Sequence, residues 1–125
     1  MSNLILFEHH QYMNMETFRK NRVGVKTLVW FVQDENTFYV RTGADSGKVK
    51  RIRNNTNVNI VPCKVDGTPL AEWLPANASV VKDNNIDKKV DRLLGKKYGL
   101  MKVIYSLGSA LQGSKYTILE IKVRI

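Results

Sequence analysis

The stretch VGVKTLVWFVQDENTFYVRTGADSGKVKRIR, residues 23–53, decides the predicted fold of this chain. Residues 23–33 alternate β-branched with other residues, a pattern that predicts one long strand. Residues 34–36 are polar and predict a turn, and residues 37–42 are again β-branched and aromatic. The two strands are therefore expected to form a hairpin. The second strand of this hairpin would end at a turn that begins with Gly43.

The turn leads into a predicted short helix with Ser46 as its N-cap. Val49 and Ile52 are three residues apart and would face inward, while the cations face outward. A helix N-terminus presents unpaired N–H groups and a positive dipole end, and Lys48 would add a full charge there. Residues 46–65 contain no Asp or Glu that would compete with a phosphate. The segment is the best candidate for a phosphate site, and its cations are Lys48, Lys50, Arg51 and Arg53.

The rest of the chain predicts further strands and one more helix. Strands are expected at residues 14–19, 58–64, 69–82 and 116–125, and a helix at residues 86–98, with more helix left open at residues 100–113. Short connections favour antiparallel pairing. Six strands with so little helix predict a mainly β fold with a closed or partly closed barrel, because closure removes exposed edges. The length of 125 residues predicts a single domain over residues 1–125.

Composition narrows the class of protein only partly. The formal charge of +9 attracts anions, but it does not separate nucleic acid, acidic lipid and phosphorylated cofactors. The single cysteine, Cys63, excludes an intrachain disulfide and a thiolate zinc site, and we expect it to be a small buried hydrophobe. No signal peptide is recognised, and no apolar run approaches the ~20 residues of a membrane span. These observations predict a cytoplasmic protein that is not in the membrane.

The sequence shows no catalytic residue of its own. No nucleophile stands with a base, no pair of carboxylates has the spacing of an acid and base, and His9 and His10 lack partners for a metal. This pattern is consistent with hydride transfer, in which a bound cofactor carries the chemistry. Trp30 and Trp73 either stack on a ring or belong to the core or a dimer interface, with the second role favoured.

Residues 23–55, with NVNIVPCKVDG at 57–67 and KKYG at 96–99, resemble the pyridoxamine 5'-phosphate oxidase-like (PNPOx-like) family of FMN-binding split β-barrels. Within that family the chain is most similar to the branch of oxidoreductases that use the deazaflavin coenzyme F-420. The resemblance covers about residues 12–98, with a compatible final strand. It implies a homodimer of split barrels with two cofactor sites at the subunit interface.

The resemblance also implies a set of cofactor-binding residues. The second strand would contact the phosphate and the ring through Lys26, Thr27, Leu28, Val29 and Trp30. The end of the third strand would lie beside the phosphate and ribityl chain through Arg41 and Thr42. The helix start would grip the phosphate through Ser46, Gly47 and Lys48. Arg51 and Arg53 are expected to stay solvated or to contact the partner subunit.

The chain departs from the family pattern at Arg22, Leu28 and Thr56, where many relatives have Gly, Pro and Pro. Leu28 restores a backbone N–H that Pro would lack, so contacts to the ring near it are expected to differ. The substrate-phosphate residues of the oxidase proper lie in a longer C-terminal region with no obvious counterpart here. Oxidation of pyridoxamine phosphate itself is therefore not expected.

The function implied by the resemblance is hydride transfer between FMN or F-420 and a small conjugated or heteroaromatic substrate. F-420 fits the basic composition slightly better, because it carries an acidic polyglutamate tail. One alternative is a flavin or F-420 carrier with the same fold. Another is a basic barrel that binds single-stranded nucleic acid, although the aromatic residues alternate with core positions rather than forming a surface row.

Overall fold

The structure, a computed structural model, describes residues 7–99 and 115–124. Its strands are β1 (Tyr12–Phe18), β2 (Gly24–Trp30), β3 (Val32–Asp34), β4 (Thr37–Gly43), β5 (Asn57–Cys63), β6 (Leu74–Val81) and β7 (Tyr116–Val123). Its helices are α1 (Gly47–Asn54) and α2 (Asn84–Tyr98). The helix left open at residues 100–113 falls outside the described residues. Neither described helix has the length and apolar character needed to cross a lipid bilayer.

The strands form one antiparallel sheet in the order β2-β1-β5-β6-β7-β4-β3. Its two edge strands, β2 and β3, follow each other in the chain and are separated only by Phe31. The sheet must therefore curl until its two ends meet. Strand β2 also approaches β4, although the described strands form no ladder between these two. The result is a mainly β barrel that is split between β2 and β4, and it confirms the predicted fold class.

Two apolar clusters stabilise this arrangement. The first fills the barrel with inward-facing residues of the strands, among them Met13, Phe38 and Leu119, which are fully buried. Val49 and Ile52 of α1 join it, so the prediction that they face inward is confirmed. The second lies outside the barrel, where α2 packs Val90, Leu94 and Tyr98 against residues of β3, β4 and β7. Helix α2 is thereby fixed on the outer face beside the split.

The prediction of one strand over residues 23–33 was wrong, because Phe31 leaves the ladder. Its N–H donates to the hydroxyl of Tyr98 at 3.0 Å. Its carbonyl accepts from the same hydroxyl at 2.9 Å and from Nζ of Lys97 at 2.9 Å. Side chains at the end of α2 thus replace the bonds that a neighbouring strand would provide. The predicted hairpin exists, but its strands pair only over residues 32–34 and 37–39.

Two other predicted boundaries were also wrong. The strand expected over residues 69–82 begins only at Leu74, because residues 64–73 fold back, with an N–H to carbonyl bond of 2.8 Å from Gly67 to Lys64. Helix α2 begins before residue 86, because the carboxylate of Asp83 caps it by accepting from the N–H groups of Asn85 and Ile86. Cys63 is buried, as expected, and burial raises the pKa of its thiol.

Candidate functional site

A cleft of about 300 Å³ lies over the split between β2 and β4. Strand β2 supplies one wall and β4 the opposite wall, while α1 and α2 each contribute one side chain. The lining residues are Tyr12, Leu28, Val29, Trp30, Arg41, Thr42, Lys48 and Leu94. The cations and the aliphatic hydroxyl come from β4 and α1, whereas β1, β2 and α2 contribute apolar or aromatic groups. The cleft is therefore polar at one end and apolar at the other.

The polar end is built from Lys48 and the last residues of β4. Nζ of Lys48 donates to the hydroxyl of Thr42 at 3.1 Å. This lysine is half-buried, and burial, with a smaller contribution from the nearby Arg51, lowers its pKa. The loss of hydration disfavours the ammonium, so an anion placed beside it would restore the lost stabilisation. Lys48, predicted as an anion ligand, thus lies at the cleft.

Arg41 is the second cation of this end, and its side chain is only 13% exposed. Its guanidinium donates to the carboxylate of Asp91 at 3.0 Å and lies over the ring of Tyr116, 5.4 Å from the centroid. Its Nε is buried without a hydrogen-bond partner among the described residues. A buried charged donor without an acceptor is costly. The arrangement therefore leaves Arg41 with capacity for an acidic oxygen.

The apolar end is formed mainly by Leu28, Val29 and Trp30 of β2. The ring of Trp30 stacks on the ring of Tyr98, with centroids 4.3 Å apart and planes 6° apart. Leu28 lines the cleft and is 43% exposed. An apolar wall with a fixed aromatic ring suits a flat conjugated ligand. Trp30 thus packs on α2, which agrees with the favoured packing role, and it also lines the cleft.

Ten cofactor-binding residues were predicted, and the structure brings six of them to the cleft: Leu28, Val29, Trp30, Arg41, Thr42 and Lys48. Lys26 and Thr27 are not among the lining residues. The ammonium of Lys26 lies 5.3 Å from the ring centroid of Trp73, and the hydroxyl of Thr27 donates to the Met15 carbonyl at 3.4 Å. Because a strand advances ~3.3 Å per residue, Lys26 lies roughly 13 Å along β2 from Trp30.

The helix start also differs in detail from the prediction. Ser46 is the N-cap of α1, as predicted, but its side chain makes no capping hydrogen bond, and its hydroxyl oxygen is buried without a described partner. Neither Ser46 nor Gly47 lines the cleft. Arg51 was expected to stay solvated or to meet a partner subunit, but its Nε donates to the hydroxyl of Thr17 at 2.6 Å. Arg51 therefore ties α1 to β1.

Sequence reasoning missed two residues of the lining, Tyr12 and Leu94, and one that contacts it, Asp91. Tyr12 pairs with Trp30 in the β1–β2 register, but that register was not predicted. Leu94 and Asp91 are three residues apart on α2, so they share a face of the helix. The apolar pattern of α2 placed Leu94 on its buried face. Nothing in that pattern showed which strand the face would contact.

The geometry defines a split β-barrel with an amphipathic cleft at the split. No protein-family model and no curated protein matches the chain. Several solved structures do match the chain. A candidate pyridoxamine 5'-phosphate oxidase from Listeria innocua has a TM-score of 0.70 at 16% identity, over 99% of this chain and 92% of that one. HutZ, a heme storage protein from Vibrio cholerae, has a TM-score of 0.74 at 15% identity, over 99% and 89%.

An F420 reductase is also similar, with a TM-score of 0.62 at 16% identity, over 97% of this chain and 92% of that one. At such identities the likeness establishes the fold. The chain has the PNPOx-like split β-barrel fold, in agreement with the resemblance found in its sequence. Proteins that share this fold differ in what they bind, so the cleft itself has to support the function.

Proposed function

We propose that this chain is a PNPOx-like oxidoreductase that binds FMN or F-420 and moves a hydride between that cofactor and a small conjugated or heteroaromatic substrate. The observation that carries the proposal is the cleft between β2 and β4, with Arg41 and Lys48 at one end and Trp30 at the other. A flavin or deazaflavin has the matching form, a flat ring joined by a short chain to a phosphate. The similar F420 reductase structure supports this choice of cofactor class.

The polar end fits a phosphate on its own chemistry. Two cations line the cleft, and the buried Nε of Arg41 has no described acceptor. A phosphate oxygen would accept from this donor, and charge-assisted bonds of this kind are stronger than neutral ones. The residues that would hold the phosphate are therefore Arg41 and Lys48, with Thr42 orienting the lysine.

The apolar end fits a conjugated ring. Strand β2 is an edge strand that pairs with β1 on one side only, so its other edge presents backbone N–H and C=O groups. Such groups can hydrogen-bond the heteroatoms of a ring, and Leu28 keeps the N–H that Pro would lack. When bound, the cofactor supplies the hydride chemistry. The residues of the chain hold and orient the ring, and Leu28, Val29 and Trp30 shield one side of it from water.

We propose further that the protein is a cytoplasmic homodimer and that the partner subunit completes each site. A cleft of about 300 Å³ is at the lower end of the ~300–1,000 Å³ usual for small-molecule sites. Val23 is 50% exposed and Leu28 is 43% exposed, and both lie in or next to the edge strand β2. A second barrel placed against this edge would bury both side chains and deepen the cleft. Small-angle scattering or analytical ultracentrifugation would test the dimer.

Titration of the purified protein with FMN and with F-420, followed by fluorescence or absorbance, tests the binding proposal. We expect saturable binding of at least one of the two cofactors. Absence of tight binding by both would contradict the proposal. Oxidation of the reduced cofactor in the presence of conjugated substrates would then test catalysis. Tight binding without turnover would instead favour a flavin or F-420 carrier.

A further inference from the structure

An ion pair connects Arg41, which lines the cleft, with Asp91 on α2. The guanidinium of Arg41 and the carboxylate of Asp91 are 3.0 Å apart, and the side chains are 13% and 53% exposed. Arg41 lines the cleft, whereas Asp91 does not. Leu94, one turn further along α2, reaches the cleft as well. An exposed carboxylate on the helix is thus in direct contact with a cation of the proposed phosphate end.

The pair lowers the positive charge that the cleft can offer to a phosphate. The cations that line the cleft are Arg41 and Lys48, and the carboxylate of Asp91 offsets one of the two charges. Arg51 lies near Lys48, but it does not line the cleft, and its Nε bonds to Thr17. The ion pair therefore leaves the polar end with less positive charge than its two cations carry.

The two cofactors left open by the proposed function differ in the charge of their phosphate. FMN carries a phosphate monoester, whose second pKa is about 6, so its charge is between about −1.5 and −2 at neutral pH. The phosphate of F-420 is a diester and carries a single negative charge. The second charge of a monoester would be repelled by the carboxylate of Asp91. A diester has no such second charge.

We propose that Asp91 is a specificity residue, which favours a singly charged phosphodiester over a phosphate monoester at the Arg41 end of the cleft. This inference rests on the proposed function and deepens it by naming the class of phosphate. It directs the choice between the two cofactors toward the diester, F-420. Because Asp91 is half-exposed, its effect is limited to that of a partly screened charge, which is roughly fivefold in affinity at most.

The test uses three flavins that differ only at the phosphate: riboflavin, FMN, and the methyl phosphodiester of FMN. Each is titrated into the wild-type protein, Asp91→Asn and the control Asp87→Asn. Asp87 is an exposed carboxylate one turn earlier on α2, so the control removes the same charge away from Arg41. We expect Asp91→Asn to raise the affinity for FMN about fivefold and the affinity for the diester about twofold. The affinity for riboflavin should not change. The control should leave the ratio of FMN to diester unchanged.

Two results would overturn the inference. If Asp91→Asn lowered the affinities for FMN and for the diester equally, the role of Asp91 would be only to position Arg41. If the ratio of the two affinities were the same in the wild type and Asp91→Asn, the carboxylate would have no part in selecting the phosphate. In both cases the wild type still binds a flavin, so the proposed function survives. Failure of the wild type to bind any of these flavins or F-420 would instead contradict the proposed function, and the inference with it.

Discussion

Removal of the Tyr98 hydroxyl tests how α2 holds the junction between β2 and β3. This hydroxyl accepts from the N–H of Phe31 at 3.0 Å, and its proton lies within reach of the carbonyls of Phe31 and Gln11, at 2.9 and 2.8 Å. Burial raises the pKa of Tyr98, so the hydroxyl keeps its proton at neutral pH. In Tyr98→Phe the ring remains to stack on Trp30, and only the hydroxyl is lost.

The loss of unfolding free energy in Tyr98→Phe depends on which groups lose their hydrogen-bond partner. The Phe31 carbonyl keeps its bond from Lys97, and Gln11 is exposed, so water can reach its carbonyl. The buried N–H of Phe31 is left without an acceptor, at a cost of about 1–3 kcal/mol. We therefore expect Tyr98→Phe to lower the free energy of unfolding by about 2 kcal/mol. With an m-value of about 1.5 kcal/mol/M, the urea midpoint would fall by roughly 1.3 M.

Urea unfolding followed by tryptophan fluorescence measures this change, and Tyr39→Phe is the matched control. The hydroxyl of Tyr39 accepts a long bond of 3.4 Å from Lys89, whose ammonium also contacts Asp34 at 2.8 Å. Its loss should cost about 0.5 kcal/mol or less. Equal stability of Tyr98→Phe and the wild type, within about 0.5 kcal/mol, would refute the reasoning that side chains of α2 replace the ladder at Phe31.

Two further predictions concern stability. Burial lowers the pKa of Lys97 to about 8 from its ordinary 10.5, so between these values the unfolded chain binds more protons, and stability should rise with pH. Urea unfolding at about pH 7.5 and about pH 10 should show this rise in the wild type and a smaller one in Lys97→Met; equal rises would contradict it. Gly67 has a φ of 89°, so Gly67→Ala should cost about 1 kcal/mol by the same assay. Gly43→Ala, where an added Cβ meets nothing within 4 Å, should stay within about 0.5 kcal/mol, and similar losses in both would contradict the argument.

Local patterns predicted most of the fold, because alternation and turn chemistry are properties of neighbouring residues. The helix that contains Val49 and Ile52, the Gly67 turn and the final strand were all predicted within a few residues. The break at Phe31 was not predicted, because the residues that cause it, Lys97 and Tyr98, are more than 60 residues away in the chain. Tertiary contacts overrode a strand pattern that continued without interruption.

The same limit applies to the candidate site. Lys48 was predicted from the helix start as well as from the resemblance, whereas Arg41 was predicted as a site residue and Trp30 as a ring contact from the resemblance. The structure places all three at the cleft. Asp91 and Leu94 come from α2, whose docking on the outer face depends on packing between distant segments. Lys26 was included with its strand neighbours, but it lies roughly 13 Å along β2 from Trp30 and does not line the cleft. Sequence thus identified the strand, but the structure was needed to select among its residues.

The cleft between β2 and β4 is proposed to hold a phosphate at Lys48. The most direct measurement is the ratio of FMN to riboflavin affinity in the wild type, Lys48→Ala and the control Lys50→Ala. Lys50 is an exposed cation two residues further along α1 and does not line the cleft. A charge-assisted bond is worth about 1.5–3 kcal/mol, so Lys48→Ala should lower the ratio by roughly 10-fold to 100-fold, and Lys50→Ala should leave it nearly unchanged. An unchanged ratio in Lys48→Ala, or an equal loss in both variants, would contradict the assignment.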